Sequence, residues 1–153
     1  MLFRKEQPEL KLQRSEIALT SEVYKFNGTI DCIADDVMVD WKTGECKDEY
    51  KPKIYDEWKY QVAAYVYLYN EVNKTNINKA VIVAIAKDKV AYNTYEMDEV
   101  DIRGCFNDVF LSCLRIINYQ NRQKQLAKEK KKNGKLSDGH EPRESTIKEK
   151  VTS

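Results

Sequence analysis

The chain has one histidine, His140, close to the C-terminus. Imidazole relays to serine or cysteine and histidine-rich zinc sites need imidazole inside a folded body, so both are argued against. Cysteine is also sparse: Cys32, Cys46, Cys105 and Cys113 form no C-x-x-C pair. That spacing removes zinc-ribbon and dithiol chemistry and leaves reduced thiols used as small apolar side chains, with Cys32 and Cys113 on apolar stripes. There is no run of about 18 apolar residues, and the N-terminus lacks the apolar stretch of an export signal, so no membrane span is expected and the setting should be intracellular. Any hydrolysis must rest on carboxylates, lysine and metal.

What is present suits one packed domain: 153 residues, 42% hydrophobic and 33% charged. The net charge of +1 is unevenly spread, because residues 120–153 hold ten of the 26 basic residues but only five of the 25 acidic ones. A mildly acidic body suits clustered carboxylates, while the basic end can add salt-sensitive attraction to phosphates. Residues 1–123 are expected to form the core; the Lys/Glu-rich stretch from Lys124 to Lys135 can extend the last helix into solvent, but Gly134, Gly139 and Pro142 and the lack of apolar residues favour a basic, disordered tail over 124–153.

Hydrophobic periodicity orders the elements. After a polar leader containing Pro8, residues 16–21 alternate as a first strand, and Tyr24, Phe26, Gly28, Ile30 and Cys32 share one parity of a second. Val37, Val39 and Trp41 resume the alternation after Asp35-Asp36, which predicts a β-hairpin. From 56 to 72 the period changes to that of an amphipathic helix carrying Trp58, Val62, Tyr65, Val66, Tyr69 and Val72, with Asp56 as N-cap. The apolar run 79–86 predicts a buried central strand, and 91–97 its neighbour. A second helix, beginning at Asp98 or Asp101 and reaching about residue 121, carries Ile102, Phe106, Val109, Phe110, Cys113, Leu114 and Ile117 on its inner face. The order β-β-β-α-β-β-α defines an α/β fold with a mixed central sheet and flanking helices.

A two-residue turn at Asp35-Asp36 pairs Ala34 with Val37, Ile33 with Met38, Cys32 with Val39, and Asp31 with Asp40. The two aspartates then lie about 5 Å apart, and Lys42 projects beside them on the face shared by Thr29, Ile33 and Met38. Trp41 faces the core on the opposite parity. Like charges opposed across a sheet are destabilising, and a divalent cation between them resolves the conflict. Oxygen donors favour Mg²⁺ or Mn²⁺. Gly28 permits a close approach three residues before Asp31, and Gln61 and Tyr65 share one helical face.

In order, Glu16, Gly28-Thr-Ile-Asp31, Asp40-Trp-Lys42 and Gln61-Val-Ala-Ala-Tyr65 resemble the PD-(D/E)XK nuclease superfamily, most closely RecB-like exonucleases of phages and of mitochondrial genome maintenance. The resemblance implies a restriction-endonuclease-like core in which Asp31 and Asp40 bind metal with the Trp41 backbone carbonyl. It further implies that Lys42 orients or deprotonates the attacking water, that Gln61 and Tyr65 steady the site, and that Glu16 matches an upstream acidic residue. The implied activity is Mg²⁺- or Mn²⁺-dependent hydrolysis of DNA, single-stranded or at duplex ends, in the cytoplasm or a host's cytoplasm. The cysteines that hold an iron–sulfur cluster in some relatives are missing, so no cluster is expected. Relatives carry a helical region before the first strand, and its expected absence here points to a fragment, a reduced form or a need for a partner subunit. The alternative is a nuclease-fold module that binds nucleic acid or protein without cutting.

Overall fold

In the computed structural model, residues 12–46 and 50–138 are described, except for the side chains of residues 12–14, 137 and 138. The polar leader with its Pro8, the expected N-terminal gap and residues 139–153 of the tail lie outside them. The chain divides into a compact unit ending at Cys113 and a second unit from Leu114.

The compact unit is built on a five-stranded sheet in the order β1-β2-β3-β4-β5: Leu12–Thr20, Asn27–Ala34, Val37–Gly44, Ala80–Ala86 and Tyr92–Met97. Only β3 and β4 run parallel; the other neighbours are antiparallel. The crossover between β3 and β4 is helix α1, Asp56–Asn73, as a parallel pair requires. β4 is buried on both faces, with Ile82 in one apolar cluster and Val83 in the other. This explains its unbroken run Ala-Val-Ile-Val-Ala-Ile-Ala.

The hairpin has the expected register, pairing Cys32 with Val39, Ile33 with Met38 and Ala34 with Val37. Asp35 and Asp36 both take positive φ, 50° and 59°, the type I′ geometry whose twist suits a hairpin. The single parity expected for β2 fails at one point. Gly28 and Ile30 face α1, Cys32 packs in the smaller cluster on the far side, and Ile33 returns to the α1 side. Thr29 therefore does not share a face with Ile33. The break centres on Asp31 and on Glu16, which the flanking pairs Ser15–Cys32 and Ile17–Ile30 set opposite it and which has φ of 50°.

The larger cluster lies between the sheet and α1, where Val62, Ala63, Ala64, Val66 and Tyr69 are buried. Tyr55, not Asp56, is the N-cap; Asp56 begins the helix and pairs with Lys59 at 3.0 Å. At the other end Lys74 adopts the left-handed conformation and its N–H closes on Asn70. Val72 is exposed.

A short helix α2, Glu99–Gly104, starts at Asp98, whose side chain accepts the Asp101 N–H at 2.8 Å. A π-helical turn, Cys105–Phe110, leads into α3, Leu111–Asp138. Phe106 is fully buried, stacked on Tyr67 at 3.8 Å and edge-on to Tyr24 at 5.1 Å. The wider π turn shifts the residues that follow it off a 3.6-residue stripe, and Cys113, expected on the inner face, is exposed; Ile117, in the second unit and expected on the same face, is exposed as well. In the second unit the helix runs on as far as Asp138, so the Lys/Glu-rich stretch takes the helical extension rather than the disordered tail expected from residue 124. Its Lys, Gln and Glu side chains are good helix formers, and every described side chain from Arg115 to Leu136 is exposed.

Candidate active site

Three backbone features bring the site together. The β2–β3 ladder ends at Cys32–Val39, so the next residues in register, Asp31 and Asp40, stand where the strands stop exchanging ladder hydrogen bonds. The side chain of Asp31 fills that gap: its Oδ2 accepts the Trp41 N–H at 2.9 Å. Asp40 and Lys42 alternate along β3 on the α1 side, opposite Ile82 and Ala84 of the parallel neighbour. The third feature is Gly28. A Cβ there would sit 2.5 Å from Cε1 and 2.9 Å from Cδ1 of Tyr65, so the missing side chain lets the tyrosine ring lie on β2.

The polar side chains form a chain of contacts. Lys42 Nζ is 3.0 Å from Asp40 Oδ2 and donates to Gln61 Oε1 at 2.6 Å. Gln61 Nε2 donates in turn to the Tyr65 hydroxyl oxygen at 2.8 Å. One turn of α1 thus supplies both Gln61 and Tyr65, as their four-residue spacing predicts. The structure brings Asp31, Asp40, Lys42, Gln61 and Tyr65 together.

Asp40 is 2% exposed, and burial pushes its carboxyl up from 3.8 to about 6. Lys42 opposes that shift and the nearby Asp31 carboxylate reinforces it. Although Lys42 lies at ion-pair distance, Asp40 Oδ2 is buried and accepts no hydrogen bond of good geometry. Burial, and then the charge of Asp40, also raise the Tyr65 hydroxyl, which stays protonated near neutral pH.

A buried carboxylate oxygen with the Lys42 ammonium at ion-pair distance but no well-formed hydrogen bond, beside a second carboxylate, fits a hard divalent cation, for which oxygen is the preferred donor. The two carboxylates that lie near each other there are those of Asp31 and Asp40. Glu16 stands opposite Asp31 in the β1–β2 register but is exposed, at positive φ, and no three His, Cys, Asp or Glu side chains among the described residues are grouped to hold a metal.

Sequence reading did not single out Ser21 and Glu71. Ser21 is fully buried, and Glu71 accepts from its hydroxyl at 3.0 Å and from the Glu22 and Val23 N–H groups at 3.1 and 3.3 Å. The contact ties the β1–β2 loop, and with it the start of the strand carrying Asp31, to α1. No local spacing signals a pair so far apart in sequence.

Fold and site together define a restriction-endonuclease-like α/β domain with a paired-aspartate and lysine centre. The chain belongs to the PD-(D/E)XK nuclease superfamily, whose family model matches residues 2–142. Among solved structures, one described as "Crystal structure of SSO0001" is similar with a TM-score of 0.44 and 20% identity over 67% of this chain. The match covers 50% of that chain's length. No curated protein matches the sequence. No helix among the described residues is long and apolar enough to cross a membrane.

Proposed function

We propose that this chain is a Mg²⁺- or Mn²⁺-dependent deoxyribonuclease that hydrolyses phosphodiester bonds, acting as an exonuclease in DNA recombination, repair or replication. The observation that carries the reading is the buried, unsatisfied Asp40 Oδ2 beside Asp31 and Lys42. Burying a carboxylate without a full set of partners is costly, and a binding site for a cation accounts for that cost.

Asp31, Asp40 and, by the resemblance, the Trp41 carbonyl would hold the metal, which would supply positive charge at the phosphate and a more acidic water. Lys42 orients the attacking water and stabilises the negative charge that grows on the phosphate oxygens in this reading. Gln61 fixes the Lys42 ammonium by hydrogen bonding, which selects one orientation of a flexible side chain. The Tyr65 oxygen accepts from Gln61, so its own proton remains available for a phosphate oxygen. In-line attack expels the 3′ oxygen and yields 5′-phosphate and 3′-hydroxyl ends.

A second reading, a nuclease-fold module that binds without cutting, draws on the lack of a third grouped acidic side chain among the described residues. End-labelled single- and double-stranded DNA incubated with Mg²⁺, Mn²⁺ or EDTA separates the two. Metal-dependent shortening from one end supports the exonuclease, and intact DNA under every condition supports the binding module.

A further inference from the structure

We propose that Glu71 is a positioning residue for the candidate active site: it holds the outer end of the β1–β2 ribbon against α1 and so keeps Gln61 on Lys42. The role rests on the nuclease reading, in which Lys42 serves the chemistry, and it falls to a residue outside every motif.

β2 needs such a hold because it leaves β3 early. The ladder between them ends at Cys32–Val39, so the residues from Asn27 to Ile30 are paired with β1 and not with β3. This end of the ribbon meets α1 at two places. Gly28 lies under Tyr65 and Leu68, whose Cδ2 would be 3.1 Å from an added Cβ. One turn further along α1, Glu71 takes the loop that precedes β2. Its Oε1 accepts the Ser21 hydroxyl at 3.0 Å and the Val23 N–H at 3.3 Å, and its Oε2 accepts the Glu22 N–H at 3.1 Å. Ser21 Oγ accepts the Tyr24 N–H at 2.9 Å, so the loop closes around one carboxylate.

The helix is the fixed side of this joint. Next to Glu71, Asn70 holds the connector that leads to β4, donating to the Ile77 carbonyl and accepting the Ile77 N–H, both at 2.8 Å. Tyr24 and Phe26 also rest edge-on against Phe106 and Phe110. Apolar contact of that kind is non-directional, whereas three hydrogen bonds to one charged group fix a position. The effect reaches Lys42 in steps. Gly28 seats the Tyr65 ring, the Tyr65 oxygen accepts from Gln61 Nε2 at 2.8 Å, and Gln61 Oε1 accepts from the Lys42 ammonium at 2.6 Å. A shift of about 1 Å at a reacting group costs up to about 10² in rate, so a loosened ribbon end is felt at the lysine.

The Gln61 side-chain amide reads this out without any cleavage. Its NMR cross-peak, assigned by its loss in Gln61→Ala, reports the bond to Tyr65. In EDTA, Glu71→Ala should move the peak toward that of a free glutamine. Glu71→Gln, which keeps an acceptor oxygen, should restore it, and Ser21→Ala, which removes one of the three bonds, should move it part of the way. Ile102→Val, which loosens the core at α2 by about 1 kcal/mol and alters none of these hydrogen bonds, should leave it in place. Single-turnover cleavage at saturating Mn²⁺ should fall about tenfold or more in Glu71→Ala and recover in Glu71→Gln, with calorimetric metal affinity unchanged in both. A Gln61 peak that stays put in Glu71→Ala and Ser21→Ala, or that moves as far in Ile102→Val, overturns the positioning role whether or not the protein cuts DNA. Peaks that move as expected in a protein that cuts no DNA overturn the nuclease reading and leave the hold of Glu71 on Gln61 standing.

Discussion

Asp40 concentrates the conflict between stability and function, and it gives the clearest pH signature. Its carboxyl holds its proton up to about pH 6 when folded, against an ordinary value of 3.8. Between those values the folded state binds more protons than the unfolded state, so stability is fully present below about pH 4 and falls as pH rises to 6. The loss is roughly 3 kcal/mol on the scale of one pKa unit per 1.4 kcal/mol. In EDTA, Asp40→Asn should therefore raise the urea midpoint at pH 8 and change it little at pH 4; an equal gain at both would show that the buried charge is not the cause. Gly28 is the second sensitive position. Gly28→Ala must push the Tyr65 ring off β2, and a destabilisation of about 1–3 kcal/mol with reduced cleavage is expected. Calorimetric metal affinity should stay near wild type, because Tyr65 is not among the metal donors.

At the scale of elements, the hairpin register could be read from Asp35-Asp36 and the flanking alternation because a two-residue turn leaves one way to pair the strands. The kink at Asp31 could not. It depends on the left-handed Glu16 of a neighbouring strand, which periodicity within β2 does not encode. The π turn at Cys105–Phe110 was hidden for a similar reason: the sequence suits a continuous helix until Phe106 must fit between Tyr67 and Tyr24. The site pairings were more legible than the surrounding elements, since D-x-K and Q-x-x-x-Y are each set by a single element's period. Glycine use gives a paired test. Asp36 sits at φ of 59°, where Asp36→Gly should stabilise by about 1 kcal/mol. Gly104 has helical backbone and open space around an added Cβ, so Gly104→Ala should stabilise by up to about 1 kcal/mol. Thermal melts of the two variants check both signs.

For the whole molecule, the proposed function links metal, pH and folding through the same pair of carboxylates. A cation that binds only the folded chain stabilises it by about 2.7 kcal/mol at a hundred times its dissociation constant. Mn²⁺ should thus raise the melting temperature over EDTA, by more at pH 8 than at pH 5, where Asp40 retains its proton. The family match spans nearly the whole sequence, and the five residues that carry the motifs converge in space. The proposed function gives Asp40 the metal and Lys42 the chemistry. The most direct measurement is single-turnover cleavage of end-labelled DNA at saturating Mn²⁺, with metal affinity titrated in parallel, for the wild type, Asp40→Asn and Lys42→Ala. Asp40→Asn should lose both metal binding and cleavage. Lys42→Ala should keep the metal yet cut slower by about 10² or more. Cleavage by Lys42→Ala at the wild-type rate would contradict the role given to this lysine.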